Sequence, residues 1–294
     1  MKTKFLTMFI LFISLGFNSC SPEEEIQINK EATNLTDQLI KFNDEYQSTS
    51  NQKCDGFLDC VGSVAAIASG DVIGAWATME AASGIAAAAG VATGGTGAIA
   101  VEVGAGILGA AGGSYLTYRE IESTKSLQFN NTGYLINLEH NNDFLYSDNF
   151  GNFHNDMLEN HYFGNTSAND WIIENITEVN SNESQDVLNS QAWADYFIQL
   201  EETTAVYKNS DFDIFKVLDY YYAEDLMTEK TYTFLNLFFE EYLESKTFED
   251  IENVVQFYLT AVENTNELSK EEKKPIIFAL DTAAKSPYFW IKKL

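Results

Sequence analysis

Two of the chain's three histidines lie in a stretch that could do chemistry. Gly151-Asn152-Phe153-His154-Asn155, continued by Leu158, reads G-x-x-H-N-x-x-L at the start of a helix. His161 follows His154 by seven residues, which places both on one helical face with Glu159 nearby. Two imidazoles and a carboxylate can hold a metal or pass a proton. A zinc site on a helix, however, needs ligands at i and i+4 or donors from several elements, and the sequence has no H-E-x-x-H and no Cys/His cluster. A hydrolase using His154 would also need a nucleophile and an orienting acid. The expectation is therefore that His154 and Asn155 form a polar site that bonds backbone groups and fixes the entry to the helix, with no metal and no cofactor.

The cysteines point elsewhere. Lys2 and Lys4 precede a mostly apolar run from Phe5 to Phe17, which is short of the ~20 residues a stable span needs but suits a cleaved signal. Cys20 follows shortly, then Ser21, Pro22 and Glu23 to Glu25. This resembles a bacterial lipoprotein signal, although Phe17 and Asn18 stand where the usual lipobox has Leu and a small residue. The resemblance implies a lipidated Cys20, and the acidic residues after it are similar to the surface-export tether of some Gram-negative lipoproteins. A lipid-anchored, surface-exposed protein of the outer membrane is the expected address. In that oxidising compartment Cys54 and Cys60, spaced unlike zinc ligands, are expected to form a small-loop disulfide.

Charge excludes one class of partner. The net charge is −27, and Arg119 is the one arginine. Phosphate backbones are held by clustered Lys and Arg, so nucleic acid is not an expected partner.

Positioning these groups falls to helices. Leu35, Leu39, Ile40 and Phe42 suggest a short amphipathic helix from about 31 to 46. Residues 61–118 then hold thirteen of the eighteen glycines, with only Asp71, Glu80 and Glu102 charged. Thr93-Gly94-Gly95-Thr96-Gly97 breaks this segment, which predicts two helical arms, about 62–91 and 98–118, folded back on each other. Small residues recur four apart, at Gly70 and Gly74, Gly84 and Ala88, Gly106 and Ala110, and Gly109 and Gly113. That spacing lets two backbones approach closely. The uncharged run 81–101 is long enough to span a bilayer, so membrane insertion competes with packing inside the protein or an oligomer.

After a poorly patterned stretch at 124–150, with a short strand expected at Tyr134 to Leu138, helical periodicity is strong. Leu235, Phe238, Phe239, Tyr242 and Leu243 form one stripe, and Ile251, Val254, Val255, Tyr258, Leu259 and Val262 form another. Thr247 with Asp250, and Ser269 with Glu272, sit where capping boxes begin helices. The expected fold is all-α: a Gly/Ala-rich αα-hairpin plus a C-terminal helical bundle. Its parts are a signal peptide at 1–19, a lipidated acidic tether at 20–30, a short helix and two-cysteine loop at 31–60, the hairpin at 61–118 and a helical domain at 119–294.

Taken together, G-x-x-H-N, the Asp71-Val72-x-Gly74-Ala75 opening of the Gly-rich block, and the run from Leu268 into Ser286-x-Tyr288-x-Trp290 resemble an uncharacterised group of bacterial proteins. That group carries G-x-x-H-N, Ser-x-x-Tyr-Trp and glycine-zipper elements, and the resemblance implies no chemistry. The leading expectation is a non-enzymatic surface lipoprotein whose hairpin mediates packing, self-association or contact with an envelope protein. Its rivals are a bacteriocin-like membrane-active protein and a hydrolase using His154.

Overall fold

Between Pro275 and Pro287 the last helix has almost no polar face, and a helix of that kind must be wrapped on all sides. The computed structural model describes residues 34–49, 62–93, 96–124, 133–142, 144, 146–176, 193, 205–206, 208–210 and 213–293. Cys20, Cys54, Cys60 and the expected signal and tether lie outside them. The helices are α1 (Leu35–Thr49), α2 (Gly62–Thr93), α3 (Thr96–Thr124), α4 (Phe150–Met157), α5 (Ala168–Asn175), α6 (Ile214–Ala223), α7 (Glu229–Tyr242), α8 (Phe248–Asn264) and α9 (Lys270–Lys293). The protein is all-helical, with no strand among the described residues. Asn34–Leu294 form one compact unit.

Every residue of α9 from Pro275 to Pro287 is buried, and α2, α3, α4 and α8 all contact this helix. The two capping boxes are made. Thr247 accepts from the Asp250 N–H while Asp250 accepts from the Thr247 N–H, and Ser269 and Glu272 do the same at the start of α9. The stripes of α7 and α8 face the core. α1 joins them through Phe42 stacked on Phe257, and Asn43 donates to the Leu237 carbonyl and accepts from Tyr258.

Along their described lengths α2 and α3 run antiparallel in close contact. A Cβ on Gly74 would strike the Gly109 carbonyl, and one on Gly113 would strike the Gly70 carbonyl. A side chain on Gly106 would meet Met79 and Phe150, so this glycine makes room for α4 as well. The turn at Gly94–Gly95 lies outside the described residues, as does the packing around Gly84 and Ala88.

Two expectations are corrected. Tyr134 to Leu138 form no strand. The segment instead lies along α8, where Tyr134 donates to Glu252, the Glu139 N–H donates to Gln256, and Gln256 returns a bond to the Glu139 carbonyl. His154 and His161 do not share a face in the way a regular helix requires, because a π-helical turn, Leu158–Tyr162, intervenes and shifts the phase.

Pro287 sits well inside α9, where it cannot donate to the carbonyl of Ala283. The Tyr242 hydroxyl takes over that role, donating to the Ala283 oxygen at 2.8 Å in a fully buried position. Burial and the nearby Asp71 push the Tyr242 phenol well above its ordinary pKa, so it stays a donor. Tyr242→Phe should therefore cost about 1–3 kcal/mol by leaving that carbonyl bare, measured by urea denaturation. Gly109→Val should cost about 3 kcal/mol or more. Gly112→Ala, whose Cβ meets only the tip of Tyr162, should stay within about 1 kcal/mol.

Candidate functional site

The Gly-rich block, the G-x-x-H-N stretch and the C-terminal aromatic run converge on one carboxylate. Asp71, on α2 beside Gly70, is fully buried. Its Oδ1 lies 2.8 Å from His154 Nε2. Its Oδ2 accepts from the Ser286 hydroxyl and, at 3.3 Å, from the Trp290 indole N–H. Ser286 and Trp290 are four apart on α9, so one face of that helix delivers both donors. His154, Ser286 and Trp290 are as buried as Asp71.

Asn155 orients the imidazole from behind. Its Nδ2 donates to the Lys285 carbonyl at 3.1 Å, which leaves its Oδ1 facing His154 Nδ1 at 3.0 Å. Both ring nitrogens thus meet oxygen acceptors, an arrangement that suits an imidazolium paired with the Asp71 carboxylate. The expectation that both residues bond backbone groups holds for Asn155 alone. The partner of His154 is a side chain from α2.

Gly151 has its own reason to be glycine. Its N–H donates to Asp281 Oδ2 at 2.8 Å, and a Cβ there would lie 2.6 Å from the Asp281 carbonyl oxygen. Asp281 also takes the Lys285 ammonium at 2.9 Å. Lys285 reaches on to the Asp148 carbonyl just before α4. The start of α4 is therefore clamped to α9 by an anion and a cation one helical turn apart.

A second histidine joins this seam. His140 Nε2 lies 3.4 Å from Asp281 Oδ1, and its Nδ1 lies 3.3 Å from Asn142 Nδ2. Asn142 Oδ1 accepts from the Phe144 N–H and the Ser147 hydroxyl, so its amide must donate to His140 and to Glu263. His140 Nδ1 is thereby an acceptor and its Nε2 a donor. Sequence patterning does not single out His140, Asn142, Glu263, Asp281 or Lys285. The one signal open to it is Asp281 with Lys285, an i,i+4 charge pair inside an otherwise apolar helix.

His161 and Glu159 are engaged elsewhere. His161 Nδ1 faces the Thr166 carbonyl at 2.8 Å, and Glu159 pairs with Lys293 at 2.7 Å. Neither reaches His154. The order of contacts also differs from a Ser–His–Asp relay, where the hydroxyl is bonded to the imidazole. Here serine and histidine each bond the carboxylate.

No protein-family model matches this chain, no curated protein is similar to it in sequence, and no solved structure is similar to it in fold.

Removing one partner of a buried ion pair strands the other, so Asp71→Ala should cost about 3–5 kcal/mol in urea denaturation. The double variant Asp71→Ala/His154→Ala should cost clearly less than the two single losses added together.

Proposed function

We propose that the chain is an exported protein held to the outer membrane by lipid on Cys20, and that its folded part serves there as a non-enzymatic binding or scaffolding domain. The sequence supports the address through the lysine-headed apolar run, the cysteine and the acidic residues that follow it.

One observation carries the choice of a packed domain over a membrane-active one. The glycine faces of α2 and α3 are already occupied. Gly70 and Gly74 meet Gly113 and Gly109 across the pair, and Gly106 receives Phe150. Moving α2 into lipid would pull Asp71 away from His154, Ser286 and Trp290 and carry its carboxylate into hydrocarbon. No helix of the described residues is long and apolar enough to cross a membrane. The hydrolase reading gains no support from His154, whose two ring nitrogens are both engaged inside the fold.

The anchor is tested by mass spectrometry of material from the native host. A mature N-terminus at Cys20 bearing acyl chains is expected, and an unmodified chain beginning at Met1 would overturn it. The packing role is tested by dye release from liposomes. The full chain should leave them intact, whereas leakage that Gly106→Leu abolishes would establish the membrane-active reading instead.

A further inference from the structure

The charges in the buried seam are satisfied within it, but another group of carboxylates is not. A cavity of about 450 Å³ opens where the ends of α6 and α7 meet α2 and the first turn of α9. Glu80 from α2, Asp225 from the loop after α6, Glu229 from α7 and Glu272 from α9 line it, and no lysine or arginine does. Trp76 and Tyr222 supply aromatic wall.

Glu272 is anchored. It accepts from the Ser269 N–H and the Thr228 hydroxyl, and these bonds hold its carboxyl below the usual carboxylate range. Glu80 has no hydrogen bond or ion pair among the described residues. Packing at the cavity wall and the charge of Glu272 push its carboxyl above its ordinary value. A carboxylate facing a second carboxylate with no cation between them is relieved by a bound positive charge.

The second observation is independent of the acids. Trp76 is 3 % exposed, yet its indole N–H has no acceptor among the described residues. That N–H is not one of the fully enclosed unpaired atoms, and the opening left to this side chain is the cavity. Buried indole N–H groups usually find a partner, so this one is available to an oxygen on a ligand. The carboxylates come from four separate elements, and among the described residues no three gather as metal ligands. An extended cation fits this spread better than a bare metal ion.

We propose that this cavity binds a small hydroxylated organic amine of the amino-sugar class. Its ammonium lies between Glu80 and Glu272, and one of its oxygens accepts from Trp76. The volume suits a ligand of that size. The inference does not depend on the lipid anchor.

The test is calorimetric titration of the full chain with D-glucosamine at low ionic strength and neutral pH. N-acetyl-D-glucosamine serves as the uncharged counterpart, with spermidine and calcium as rival cations. Saturable glucosamine binding is expected, weakened about tenfold or more by N-acetylation, by Glu80→Gln and by Trp76→Phe. No saturable binding, equal affinity for the acetylated sugar, or indifference to Glu80→Gln would overturn the proposal. Spermidine or calcium binding that needs Glu80 while glucosamine fails would also overturn it, in favour of a simple cation site. Glu80→Gln carries its own folding check. A raised carboxyl favours the folded state below the ordinary carboxylate range and loses that contribution as pH rises through the raised value. The unliganded variant should therefore melt no lower than wild type at neutral pH, which separates lost binding from lost folding.

Discussion

A carboxylate that no solvent reaches has to be surrounded by donors, and Asp71 sets that condition for the whole molecule. It lies next to Gly70, where the backbones of α2 and α3 come closest, so little but backbone can stand on that side. Its donors must come from the opposite side, and they come from two other elements. His154 on α4 and the pair Ser286 and Trp290 on α9 can all reach it only if both helices sit at one depth and one rotation. Such a centre is a weak source of net stability, because taking the charges out of water costs about as much as their attraction returns. What it does supply is a penalty on every other arrangement. Sliding α9 by one turn would leave the carboxylate, the imidazole and the indole all unpaired.

The rest of α9 follows the same logic. A helix buried on all sides has no water to take up backbone groups that its own ladder cannot satisfy. Pro287 creates such a group at Ala283, and Tyr242 from α7 meets it. Asp281 and Lys285 would be costly in this setting, yet each is used to hold a neighbouring element. The carboxylate caps the first turn of α4, where free N–H groups and the helix dipole favour an anion. The ammonium holds the chain just before that turn. Polar residues on α9 thus mark the places where other elements dock.

Local regularity decides what can be read from the sequence. The α7 and α8 stripes, both capping boxes and the bounds of the glycine-rich helices are short-range patterns, and the structure has them where the spacing puts them. Asp71, His154, Asn155, Ser286 and Trp290 each stand in a stretch with a recognisable pattern. Their convergence is illegible, because Asp71 and Ser286 are 215 residues apart and no local period encodes such a meeting. The π-helical turn at Leu158–Tyr162 escapes the sequence for a related reason. It breaks the 3.6-residue period on which pairing His154 with His161 relies. Tyr134 to Leu138 has the alternation of a strand but no partner strand, so side chains of α8 take its polar groups.

The ambiguity of the glycine-rich block also has a physical basis. Small residues four apart serve close helix contact equally well in lipid and in a protein core, so composition cannot choose between the two. Bulk around the block can. Glycine destabilises a helix by about 1 kcal/mol relative to alanine, and a core can offset this only by filling the space that the missing side chains leave. Here Met79 and Phe150 crowd Gly106, Ile172 reaches Gly104 and Tyr162 reaches Gly112. These large side chains belong mainly to α4, the π-helical turn and α5, elements with ordinary water-soluble composition. The glycines are matched to those neighbours one by one, and lipid, which has no fixed shape, could not reproduce that match.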